Sequence, residues 1–170
     1  MLSKFKSINM CLTFSKRLFS NYGGYDKDNF ISICEDVAPF ISNFLKVKVT
    51  KLSTGKLTLE LPLNPDFVGN PVLPCLHGGV TASVIDHCGG FCAWSILTDR
   101  KKLVSTADMR IDYLRPAPLE KLVCEAEVIH QGDRLIRTDI VLWNADKSKK
   151  IALGRQTMNV YEFKEKPHVT

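Results

Sequence analysis

Residues 76–98 read LHGGVTASVIDHCGGFCAWSILT, and the fold follows from this stretch. From Gly79 to Thr98 it is apolar on nearly every side, which predicts a helix over 79–98 wrapped by other structure rather than lying on a surface. Gly89-Gly90 weakens such a helix by about 1 kcal/mol per glycine relative to alanine. Two glycines there fit a sheet or second helix pressed against the backbone. The helix holds one formal charge, Asp86.

Before this helix, Phe30, Ile33, Cys34, Val37, Ile41, Phe44 and Leu45 recur at 3-and-4 spacing, predicting an amphipathic helix interrupted or kinked at Pro39. Segments 47–54 and 56–63 flank Gly55, with Leu57, Leu59 and Leu61 alternating against Lys56, Thr58 and Glu60, as in a hairpin with one buried face. Segment 64–76 carries three prolines and a Gly-Asn pair, which predicts an irregular loop. Beyond the helix, strands are expected over 104–114 (through Ala107, Met109, Ile111 and Tyr113), 122–130, 135–143 and 151–161, joined by short turns. This order gives an α+β fold in which a curved antiparallel sheet wraps a central hydrophobic helix, the hotdog architecture. Alternating units of a doubly wound fold would not give it.

The chain of 170 residues fits one domain, and at 45% hydrophobic and 24% charged it has the balance of an ordinary globule. No apolar run is long enough to span a membrane as a helix. The net charge of +5 does not indicate nucleic acid. Lys4, Lys6, Lys16 and Arg17 are four of the 23 basic residues, and the other 19 face 18 acidic ones. A nearly neutral body lacks the excess needed to neutralise several phosphates.

Residues 1–20 contain no acid, and Leu2, Phe5, Ile8 and Leu12 fall at helical spacing among Ser and Thr. These are marks of a mitochondrial presequence, directing the protein to the matrix. The reading as a basic tail of a cytoplasmic protein stays open. The layout is then a presequence over 1–20, an N-terminal helical segment over 26–46, a hotdog domain over 47–162 and a tail over 163–170. Cys11, Cys34, Cys75, Cys88, Cys92 and Cys124 are scattered through apolar runs, as expected of reduced buried thiols. His77, His87, Cys88 and Cys92 do not have zinc-site spacing, and no metal is expected.

An ionised carboxylate in an apolar helix is costly unless it is paired or faces a wet cleft, so Asp86 is the first functional candidate. A structural carboxylate satisfied by backbone or by His87 is the alternative. His77-Gly78-Gly79 stands where loop becomes helix, and free N–H groups at a helix start can hold a negatively polarised oxygen. The alternative there is a plain glycine turn. Asp86 lies seven residues beyond Gly79 on the same helix face, an axial rise of about 10.5 Å, too far for one carbonyl to touch both. Two copies packed antiparallel would bring the Asp86 of one near the Gly78 N–H of the other. A composite site in a homodimer follows, with a homotetramer also open.

The run from Leu76 to Asp86, followed by Ser105-Thr106-Ala107-Asp108-Met109-Arg110-Ile111-Asp112-Tyr113-Leu114-Arg115-Pro116-Ala117, resembles the signature of the hotdog-fold thioesterases of the PaaI and THEM2 type, over about residues 50–162. The resemblance implies an acyl-CoA thioesterase with no cofactor, coenzyme A entering only as part of the substrate. It implies that Asp86 activates the hydrolytic water or attacks directly, and that the Gly78 N–H polarises the thioester carbonyl. His77, with Gly79, supports that contact, and Thr106 helps hold the water. Thr106 also reads simply as a β-branched strand residue. Asn70 resembles the family's pocket asparagine, though its interval to His77 is longer than usual, and it also reads as a loop-shaping residue in Gly69-Asn70-Pro71. Arg115, Arg134, Arg137 and Arg155 are available for the phosphates of coenzyme A. Two other functions fit the same residues: a hotdog hydratase or dehydratase, and an acyl-CoA binding module without turnover.

Overall fold

The computed structural model describes residues 27–36, 40–70, 72–99 and 102–162. The expected presequence over 1–20 and the expected tail over 163–170 lie outside the described residues. Helix α1 spans Lys27–Asp36, and a π-helical turn spans Phe40–Leu45. The amphipathic segment is therefore two pieces, with Pro39 outside the described residues between them. Strands β1 (Lys48–Ser53) and β2 (Lys56–Leu61) form the expected hairpin. Its two-residue turn needs Gly55, whose φ is +74°, a conformation that few side chains tolerate.

The segment 64–76 is more regular than expected. Pro65–Phe67 forms a 3₁₀ turn capped by Asn64, and β3 (Val68–Asn70) pairs with β4 (Cys75–Leu76). Gly69 permits this ladder: a Cβ there would lie 2.5 Å from the His77 Cα. The central helix, α2, runs Gly78–Trp94 and ends before the predicted limit, capped at Ser95. Ser95 Oγ accepts the Gly55 N–H at 2.9 Å, so the helix end is tied to the hairpin turn.

Strands β5 (Lys102–Tyr113), β6 (Leu122–Gln131), β7 (Leu135–Trp143) and β8 (Lys150–Glu162) complete one antiparallel sheet in the order β1-β2-β6-β7-β8-β5. The buried residues of α2 fall in adjacent pairs every four residues: Val80 and Thr81, Val84 and Ile85, Cys88 and Gly89, Cys92 and Ala93. This stripe lies on Leu57, Leu59, Cys124, Ala126, Ile140 and Leu142 from the concave face of the sheet. Gly89 is the closest approach, since a Cβ there would overlap Gln156 Oε1 and come within 3.0 Å of Thr138 Oγ1. Gly90 has no such neighbour, with only Met158 Cε at 3.5 Å. The glycine pair thus divides: Gly89 lets the sheet approach, and Gly90 leaves space.

The other flank of α2 meets α1. Phe30 packs on Phe91 and Trp94 at ring separations of 6.0 and 5.5 Å, and His87 Nε2 donates to the Cys34 carbonyl at 2.7 Å. Among the described residues no helix is long and apolar enough to cross a membrane.

Candidate active site

Asp86 is half-buried on α2, beside the stripe that packs on the sheet and within reach of β5 and β8. The sequence alternation over 104–114 puts Ala107 on the buried face, and here the structure differs. Pairing of β5 with β8 runs Thr106↔Met158 and then Asp108↔Thr157, so Ala107 is an extra, exposed residue in a β-bulge. A bulge shifts the alternation by one. Thr106 thereby faces α2 together with Met109, Ile111 and Tyr113, and its Oγ1 donates to Asp86 Oδ1 at 2.7 Å.

A second residue completes this end. Gln156, on β8, is fully buried, and its Nε2 donates to Asp86 Oδ1 and lies 3.0 Å from Thr106 Oγ1. The sequence reading missed it. The available signal was a polar residue at an inward position of β8, between the buried Gly154 and Met158. Both donors converge on Oδ1, while Oδ2 accepts no hydrogen bond from the described residues. The carboxylate is thus held on one oxygen and open on the other, beside a cavity of about 310 Å³ lined chiefly by carbon.

At the start of α2, His77 is the N-cap and its Nδ1 accepts the Gly79 N–H at 2.9 Å. The Gly78 N–H makes no hydrogen bond among the described residues, and Gly78 is exposed. The Gly78 carbonyl accepts from Thr81 Oγ1 at 2.8 Å and from Tyr113 Oη at 3.1 Å, which fixes the first turn. Tyr113 is a second residue whose polar role the alternation did not reveal. One free, exposed donor therefore stands at the positive end of a buried helix dipole, where a developing oxyanion is favoured.

The remaining candidates have other engagements. Asn70 is exposed, and its Oδ1 accepts the N–H groups of Val72 and Leu73 at 2.9 and 3.2 Å, an arrangement that shapes its loop. His87 is turned to α1, and burial pulls its imidazole below the ordinary histidine range. Burial pushes the Cys34 and Cys88 thiols up, and that of Cys92 to about 12, so these three remain protonated near neutrality and offer no thiolate. Ser83 Oγ donates to the Gly79 carbonyl at 2.8 Å with no histidine behind it. The carboxylate is the group equipped for chemistry.

Comparison with known proteins bears on the family and the fold. Residues 74–151 match the family model described as Thioesterase superfamily. Acyl-coenzyme A thioesterase 13 of Homo sapiens is 31% identical over 116 residues, covering 68% of this chain and 80% of that protein. A protein of Shewanella oneidensis related to the thioesterase superfamily has a similar structure, with a TM-score of 0.70 at 27% identity, covering 79% of this chain and 94% of that one. The PaaI protein of the E. coli phenylacetic acid degradation operon shares the fold, with a TM-score of 0.62 at 23% identity over 69% and 80% of the two chains. With a curved sheet around a buried helix and an aspartate held at its midpoint, this chain belongs to the thioesterase superfamily.

Proposed function

We propose that this protein hydrolyses acyl-CoA thioesters, R–CO–S–CoA and water giving the carboxylic acid and free coenzyme A. The observation that carries this reading is Asp86, with Oδ1 held by Thr106 and Gln156 and Oδ2 open beside an apolar cavity. A water on Oδ2 is deprotonated as its oxygen attacks the carbonyl carbon. The tetrahedral oxyanion rests on the Gly78 N–H, a contribution that commonly reaches about 3–4 kcal/mol. The intermediate then collapses, the C–S bond breaks, and the thiolate of coenzyme A takes up the proton. Direct attack by Asp86 would give an anhydride instead, and oxygen-18 from water appearing in Asp86 after a single turnover would reveal that route.

Within one helix, the span from Gly79 to Asp86 is about 10.5 Å, so the two halves of the site come from two copies. Exposed Val68, Val72, Leu73 and Tyr113 support a second copy near the start of α2. Arg155 is paired with Asp139 at 2.7 Å and Arg115 donates to the Lys150 carbonyl, which leaves exposed Arg134 and Arg137 as the better candidates for the phosphates of coenzyme A. The acid-free start of the chain supports delivery to the mitochondrial matrix. The bond of His87 to Cys34 argues against a hydratase, which needs a histidine at the reacting carbons.

Mixing two variants tests the whole reading. Asp86→Asn should lower kcat by about 10²–10⁴-fold. Gly78→Pro removes the N–H at the first helical position, where proline is well accommodated. His77, with φ −63° and ψ 133°, already has the backbone that precedes a proline. Each variant alone should be nearly inactive. After unfolding and refolding together, half of the dimers are mixed and half of their sites are intact, so roughly a quarter of wild-type thiol release should return. Full activity of Asp86→Asn would remove the mechanism, and no recovery on mixing would remove the composite site.

A further inference from the structure

The cavity beside Asp86 has a direction. Asp86, Gly90 and Trp94 recur every four residues along α2 and line one wall, while Leu103 and Val104 of β5, with Met158 of β8, line the other. The eight residues from Asp86 to Trp94 rise about 12 Å along the helix axis. The carboxylate of Asp86 and the hydroxyl of Thr106 mark one end, Trp94 stands at the other, and Tyr161, paired with Leu103, also lines the cavity.

The wall at Trp94 is braced from behind. Phe30 of α1, 3% exposed, packs on Trp94, and Phe91 packs on both rings, at 5.6 Å from Trp94 and 6.0 Å from Phe30. Helix α1 is itself fastened by Glu35, whose Oε1 accepts the Val49 N–H at 2.8 Å. Midway along, Gly90 keeps the channel open, because a side chain there would project past Met158 into the empty space.

We propose that this channel is the acyl-chain site, and that Trp94, braced by Phe30, sets a ceiling near medium straight chains of roughly eight to ten carbons. The length follows from an extended chain advancing about 1.2 Å per bond, as the polypeptide backbone does over its three bonds per residue. The cavity volume is at the lower end for a small-molecule site, which suits one slender chain. The inference rests on the thioesterase reading, with Asp86 marking where the carbonyl lies.

The test uses a short-to-long series of S-alkyl coenzyme A thioethers, which bind but cannot be hydrolysed, titrated by calorimetry against the full-length protein. Affinity for wild type should rise about fourfold per methylene and level off at about eight to ten carbons. Trp94→Ala should move the levelling point to longer chains, and Gly90→Val should move it to shorter ones. Gly90→Val carries the test alone if Trp94→Ala does not fold. Affinity that ignores alkyl length, or a levelling point unmoved by Gly90→Val, overturns the proposal. Thiol release from acyl-CoA substrates is read separately. A length-dependent binding profile without any thiol release would overturn the hydrolase and leave the channel standing, whereas thiol release with an unmoved profile would do the reverse.

Discussion

Along β1 the sheet ends in a short edge of six residues with a register shift between Val49 and Lys51, and α1 lies against it. Glu35 takes the Val49 N–H on one oxygen and the Lys48 ammonium on the other, both at 2.8 Å. Along β5 the opposite edge is twelve residues long, and residues 105–108 are all exposed. Short, charged and covered edges resist pairing with another chain, while long bare ones invite it. The bare edge also carries Thr106 and Tyr113, which reach Asp86 and Gly78. One edge is covered, and the other is open beside the site where chemistry and a second copy are proposed.

Breaking the bare edge should have the larger consequence. Ala107 is the exposed bulge residue of this edge, and the composite site proposed above would bring two β5 edges together around it. Ala107→Arg sets two guanidinium groups against each other there and should leave a monomer by sedimentation velocity. Each Asp86 would lose the neighbouring Gly78 donor, so thiol release should fall by about 10²–10³-fold, as when an oxyanion-hole donor is removed. A variant that stays dimeric and active would show that the second copy docks elsewhere.

How far the sequence reached differs between these regions for a physical reason. The central helix, the hairpin and the meander were legible because their apolar residues repeat at 3.6 or 2 residues over long windows. Asp86 was legible because it breaks such a pattern. Thr106 was readable only through family resemblance, as a residue that helps hold the water; its bond to Asp86 was not legible, since the bulge at Ala107 turns it toward α2 and nothing in the alternation marks a bulge. Gln156 was missed because a single polar residue in a strand reads as solvent-facing unless the register is known. Pairing of Gln156 with Met109 and Thr138 is a long-range fact, set by the sheet as a whole.

Opening the closed edge should cost stability rather than turnover. Glu35→Ala leaves the Val49 N–H without its acceptor, a loss of about 1–3 kcal/mol for a half-buried donor. The exposed pair with Lys48 adds at most about 1 kcal/mol. Urea unfolding should show the shift, and Glu35→Gln, which keeps an acceptor oxygen, should recover most of it. Thiol release by the folded protein should fall far less than in Ala107→Arg. An unfolding midpoint unchanged by Glu35→Ala would mean that α1 does not seal this edge.

The smallest effect concerns pH and the contact that holds α1 to α2. His87 is neutral in the folded and unfolded chain at pH values well above its ordinary 6.5. As the pH falls through 6.5, the unfolded chain takes up a proton that the folded chain resists, because burial disfavours the imidazolium. Stability contributed by the neutral imidazole is therefore present above that value and is lost progressively below it, down to the lowered folded value. Two influences oppose the burial, the bond to the Cys34 carbonyl and the charge of Asp86, so the net slope is modest. Urea midpoints at pH 7.5 and 5.5 should separate further in wild type than in His87→Gln, which offers Cys34 an amide donor without a titrating group. Equal separations in the two proteins would assign the acid sensitivity to the carboxylates of the sheet instead, such as Asp139, which Arg155 holds below the usual carboxylate range.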